Sequence, residues 1–203
     1  NGGFIQSGGI FTATSGTFTT SGIITFSAGT FNPNNGTVNI NGVSTITSGN
    51  FYRLTLAING IVTITNNTIV NNNFTISSII TLNGDAIEAK GNIIFTDTSW
   101  NGSSKIIVNG TGTQSFTGSG VCGVTMDVNK LSGVVSLGSN RTFLGATVDL
   151  NLIAGTFNCN NRVLTIPNNL VITGGVFNAD TGTVIYSGVN VDITNGNYYN
   201  LTL

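Results

Sequence analysis

The chain has 203 residues with six Lys or Arg, seven Asp or Glu, no His and a formal net charge of −1. The scattered basic residues Arg53, Lys90, Lys105, Lys130, Arg141 and Arg162 form no stripe able to displace counterions from phosphate, which argues against a nucleic-acid partner. No run of 18 apolar residues exists to span a membrane.

Taken in chain order, the same small element recurs. Ser7-Gly8-Gly9-Ile10-Phe11, Ser15-Gly16-Thr17-Phe18 and Ala28-Gly29-Thr30-Phe31 each join a small residue and glycine to an aromatic. Ala154-Gly155-Thr156-Phe157 and Gly174-Gly175-Val176-Phe177 repeat it. The glycine turns the chain and the aromatic enters the interior. Between these elements lie short segments alternating with period two: Val38-Asn39-Ile40, Thr63-Ile64-Thr65, Phe74-Thr75-Ile76, Thr81-Leu82, then Val148 to Leu152, Leu164 to Ile166 and Leu170 to Ile172. Such alternation predicts strands with one buried face. The stretch Gly84 to Lys90 is the one candidate for a turn of helix. Asn-Gly, Ser-Gly and Asn-Asn pairs separate the strands and tolerate the positive φ that sharp corners need.

Thr (31), Asn (30) and Gly (28) dominate, a bias that often marks disorder. However, 39% of the residues are hydrophobic, with 23 Ile and 12 Phe, enough apolar area to offset chain entropy once strands find neighbours. The chain is expected to fold.

The chain also repeats itself over a long period. Residues 29–56 return as 175–203 with one insertion near Val191, and 16 of 28 aligned positions are identical, down to the closing Leu54-Thr55-Leu56 and Leu201-Thr202-Leu203. A weaker copy over about 97–126 matches Lys105-Ile106-Ile107-Val108-Asn109-Gly110 to Thr37 through Gly42, and Val121 through Met126 to Phe51 through Leu56. Units that cannot bury their own apolar face must stack on their neighbours. A β-sandwich gives each strand a unique place and no reason for distant strands to stay alike. A parallel coil does, if equivalent positions stack in one column. The expected fold is therefore an all-β parallel β-helix, or β-solenoid, of about ten rungs of ~20 residues, one continuous unit over residues 1–203. No distinct capping unit stands at either end, so the chain is expected to be a window of a longer repeat protein. Inward residues are expected at Phe31, Val38, Ile40, Ile46, Leu54, Leu56, Ile64, Phe74, Ile76 and Leu82. The series continues with Ile106, Val108, Phe116, Met126, Leu150, Leu152, Phe157, Leu164, Ile166, Phe177, Val184, Ile193, Leu201 and Leu203.

The string G-T-F-N, then G-T-V-x-I-x-G, then T-I-T-x-G-x-F-Y-x-L-T-L resembles the β-solenoid repeats of very large secreted bacterial cell-surface adhesins. The resemblance covers essentially the whole chain. It implies a right-handed coil, an extracellular setting and a role in a surface filament. Surface glycans or further copies of the chain are the partners it suggests.

Candidate chemistry is sparse. Parallel β-helices include polysaccharide lyases and hydrolases, which need paired carboxylates or an acidic Ca²⁺ site. Of Asp85, Glu88, Asp97, Asp127, Asp149, Asp180 and Asp192, only Asp85 and Glu88 are close in sequence, beside Lys90 in a loop expected to be solvated. Asn34 and Thr45 stand at the repeat positions of Asp180 and Asp192, so these acids form no metal ladder. Without His, neither a Ser-His-Asp nor a Cys-His site can be assembled here. Cys122 and Cys159 lack C-x-x-C spacing and are expected to be free, buried thiols. No catalytic, metal or cofactor residues are expected, and the chain is read as a non-enzymatic rod.

Two surface features remain. The triplets Thr12-Ala13-Thr14, Thr17-Phe18-Thr19, Thr45-Ile46-Thr47 and Thr63-Ile64-Thr65 would suit an ice-like lattice, but their spacing looks too uneven for one column. In the pairs Phe51-Tyr52 and Tyr198-Tyr199 one ring should be buried, with Tyr52 and Tyr199 in phase with the inward leucines. The other ring could stack on a sugar. Trp100, the single tryptophan, replaces a turn residue and is the one candidate contact residue.

Overall fold

Period-two alternation leaves every strand with an apolar face to cover. In the computed structural model, which describes residues 2–188 and 196–203, those faces are covered by coiling. The result is an all-β solenoid of about ten turns whose strands pair in parallel with strands one turn away. Among the described residues there is no helix, and so none long and apolar enough to cross a membrane. Gly84 to Lys90, expected as a possible helical turn, instead ends one strand (Ile80–Gly84) and forms another (Ile87–Ala89). Ile87 and Ala89 are needed inward, and only extended backbone points both the same way.

Each turn visits three sides. The first carries Ser44–Ile46, Gly60–Ile64, Ile80–Gly84 and Asn101–Gly102, and resumes after the Cys122–Phe143 bridge with Arg141–Thr142, Val163–Ile166, Thr183–Tyr186 and Asn200–Thr202. The second carries Gly49–Phe51, Thr68–Val70, Ile87–Ala89 and Lys105–Val108, then the leading halves of Thr125–Leu137 and Leu150–Asn158, then Leu170–Ile172. The third carries Thr17–Thr20, Thr37–Ile40, Arg53–Leu56, Phe74–Ile76, Ile93–Phe95 and Gln114–Thr117, then the trailing halves of the two long strands and Val176–Asn178.

Inward residues stack in columns. On the third side Val38, Leu54, Phe74, Ile93 and Phe116 lie one above another, and on the second Phe51, Val70, Ala89, Val108, Val128 and Leu152 do so. Each fully buried aliphatic or aromatic side chain contributes roughly 1.5–3 kcal/mol of transfer free energy. Every expected inward residue from Val38 to Val184 is buried. Phe31 is only partly so, and Leu201 and Leu203 are exposed on the last described turn, with nothing stacked above them. Ile193 lies outside the described residues.

Corners use asparagine. Asn34 and Asn35 have φ of 44° and 58°, Asn160 and Asn161 of 51° and 61°, and Asp180 of 52°. At each corner an Asn oxygen two residues earlier accepts the turning backbone N–H: Asn32 from Asn34 at 3.1 Å, Asn158 from Asn160 at 2.7 Å, Asn178 from Asp180 at 2.9 Å. This self-bond is what makes the left-handed conformation affordable to a residue with a side chain. The glycines of Ala28-Gly29 and Ala154-Gly155 turn the chain with φ of 89° and 86°.

The long repeats do not stack in the same column, contrary to the expectation from sequence. Val38 lies on the third side, its counterpart Ile106 on the second and Val184 on the first. The local pairing is nevertheless alike: Val38 pairs with Leu54 and Val184 with Leu201, the same partners one turn on.

Candidate functional site

Among the described residues, three acids and a lysine gather on the outer face of the second side. Outward residues there alternate with the inward columns, so residues far apart in sequence become neighbours. Glu88, Ile107, Asp127 and Asn151 form one outer column; Lys105, Thr125 and Asp149 flank it. Lys105 Nζ donates to Asp127 Oδ2 at 2.9 Å, and Asn151 donates to Asp127 Oδ1 at 2.7 Å. Asn109 donates to Glu88 at 2.9 Å, while Asp149 accepts from Asn168 at 2.7 Å and from the Asn169 backbone at 3.1 Å. The Lys105–Asp127 pair is the one ion pair among the described residues. With the lysine side chain 49% exposed, solvent screening leaves it little net worth.

This patch was missed in the sequence because its acids are 39 and 22 residues apart (Glu88 to Asp127 to Asp149) and only the coil brings them together. Two rungs of ~4.8 Å separate Glu88 from Asp127 by roughly 9.6 Å. That spacing would suit an inverting glycosidase. However, Ile107 fills the position between them, Asp127 is itself buried, and each carboxylate is tied to an amide or ammonium. A recess of 290 Å³ lined by Gly102, Ser103, Ser104, Lys105, Thr125, Thr147 and Val148 lies alongside, and no carboxylate lines it. No group of acids, cysteines or histidines among the described residues is arranged to hold a metal.

The other expected candidates disperse. Asp85 is exposed at a corner; Asp97 accepts from Ser99; Asp180 occupies a turn that Asn34 and Asn160 fill elsewhere. Asp192 lies outside the described residues. Trp100, expected as a surface contact, is fully buried, so it presents nothing to a ligand. Its indole N–H donates to the Val121 carbonyl at 2.7 Å and its ring meets Phe95 edge-on at 4.9 Å. It fills the corner as core.

The aromatic pairs are also reassigned. Phe51 is the buried member, and Tyr52 sits half-exposed at the corner, with the Arg53 guanidinium 4.6 Å above its ring and Asn72 donating to its hydroxyl. Tyr198 packs on Phe177 and Tyr199 is 66% exposed. A single corner residue separates two strands here, which breaks the alternation assumed from Leu54. Two threonine triplets do stack, Thr45 beside Thr63, while Thr17 and Thr19 lie on another side beside Thr37 and Asn39.

Inside the coil sit two cations without a carboxylate. Lys130 is 1% exposed; it donates to the Gly110 carbonyl and, at 2.6 Å, to Gln114 Oε1. Burial holds its ammonium below the ordinary lysine range. Arg141, also 1% exposed, donates to the Gly120 carbonyl and to Ser139, and lies 4.8 Å over Phe116. Both satisfy corner carbonyls that face inward, a task with no signature in the residue pattern.

Cys122 and Cys159 are free and buried, and burial pushes both thiols up to about 12. A thiol reagent at pH 8 should therefore find no reactive cysteine in the native protein and two after denaturation. Rapid native labelling would contradict this placement.

The chain matches no family model, no curated protein and no solved structure.

Proposed function

We propose that this chain is a rod or stalk segment of a large bacterial cell-surface adhesin or extracellular filament, and that it acts by length and stiffness without catalysis. The observation that carries this reading is the continuous parallel stack, filled with apolar columns from Val38 to Val184. A body of this kind transmits position along its axis. At ~4.8 Å per rung, about ten turns span roughly 48 Å. Surface glycans, or further copies of the chain, are the partners in this reading, and a longer parent chain outside the cell is its setting. The amide-bound carboxylates of the second-side patch support a non-enzymatic role.

Incubation with acidic and neutral polysaccharides should release no reducing ends or unsaturated products, and small-angle scattering should give an elongated particle. Turnover of any polysaccharide would overturn the reading. Retention on a glycan array without turnover would make the segment a binding module instead of a passive spacer.

A further inference from the structure

The rotation of the long repeats around the coil has a regular step. From Thr37–Ile40, the strands Ser44–Ile46, Gly49–Phe51, Arg53–Leu56, Gly60–Ile64, Thr68–Val70, Phe74–Ile76, Ile80–Gly84, Ile87–Ala89, Ile93–Phe95 and Asn101–Gly102 lead to Lys105–Val108, the eleventh. Counting the Cys122 bridge and each half of the two long strands as one segment, Thr183–Tyr186 is again the eleventh from Lys105–Val108. With three sides to a turn, eleven segments make three turns and two sides. Each copy therefore lands one side away from the last, and the third, second and first sides are visited in sequence.

We infer that the chain is built from an eleven-strand unit whose copies fit any side of the coil, so that units can be added without disturbing the stack. Three observations support it. Two features shared by 29–56 and 175–203 form alike on different sides: the Asn32 and Asn178 corners, and the Val38–Leu54 and Val184–Leu201 pairs. The surface residues shared by the copies turn with them. Tyr52 stands between the second and third sides, and Tyr199 between the third and first. The interior is permissive too, since Val38, Leu54, Phe74, Ile93 and Phe116 share one column on the third side. A one-sided ladder of the kind a flat lattice requires is not what this repeat builds. The inference depends on the parallel stack alone and stands whether or not the rod belongs to an adhesin.

The test is a chain in which residues 38–105 occur twice, so that Lys105 is followed by a second Val38. Every later strand then moves to a different side. The variant should fold cooperatively, resist protease as the parent does, and gain roughly 18 Å in maximum dimension by small-angle scattering, at ~4.8 Å per turn. A comparator duplicating residues 38–92, three whole turns along the third-side column, leaves every strand on its own side. If the 38–105 duplication releases an unfolded, protease-sensitive insert, the sides are not interchangeable and the inference falls. Acceptance of the 38–92 comparator alone would show that column identity governs instead.

Discussion

Phe95→Ala should lower unfolding stability by about 3–5 kcal/mol, the range for truncating a buried aromatic where the surroundings cannot collapse. Phe95 is fully buried on the third side, and its ring makes edge-on contacts with Phe74 at 5.9 Å, Trp100 at 4.9 Å and Phe116 at 5.3 Å. Those rings come from three other turns or corners, each held by its own ladder, so none can move inward to fill the space. Phe95→Leu keeps most of the volume and should cost far less. Chemical denaturation followed by circular dichroism gives both values. A Phe95→Ala loss below about 1 kcal/mol would mean that the interior is not packed in this way.

Gly84→Ala is expected to cost about 2–4 kcal/mol although the position is exposed, because backbone strain and a steric clash act together. Gly84 has φ of 93°, and a Cβ there would stand 2.0 Å from the Ile64 carbonyl oxygen of the turn below. That oxygen accepts the Asp85 N–H at 2.8 Å, so relieving the clash breaks a rung of the ladder. Gly112→Ala is the control: nothing lies within 4 Å of its Cβ position and its φ is not in the left-handed range. Thermal melts of the two variants should separate clearly. Equal melting temperatures would show that the turns are not in contact at Gly84.

Much of the fold was legible in the sequence because a one-faced strand leaves a period-two imprint. Val38-Asn39-Ile40, Phe74-Thr75-Ile76 and Leu164-Thr165-Ile166 all bury the residues that their alternation assigns inward. Corners were legible as Asn-rich clusters, since Asn tolerates the left-handed region and bonds its own backbone. Alternation carries no information across a corner. That is why Phe51 and not Tyr52 is inward, and why Trp100, adjacent to a turn, proved to be core. The rotation of the repeats was hidden for a related reason: a period counted in residues does not reveal how many sides it covers. The buried Lys130 and Arg141 left no mark either, because their partners are mainly corner carbonyls (Gly110 and Gly120) supplied by turns 20 and 21 residues away. The charged patch of Glu88, Asp127 and Asp149 exists only as a product of the coil.

The pairing of successive turns also sets how the molecule meets tension. Its interstrand hydrogen bonds run along the long axis, so an axial pull loads neighbouring coils in series and draws them off one after another. A coil of 20 residues, such as that from Phe18 to Val38, occupies ~4.8 Å when stacked but pays out roughly 66–72 Å of extended chain. Under load such a segment would lengthen many-fold before any covalent bond was strained, dissipating work as each coil detached.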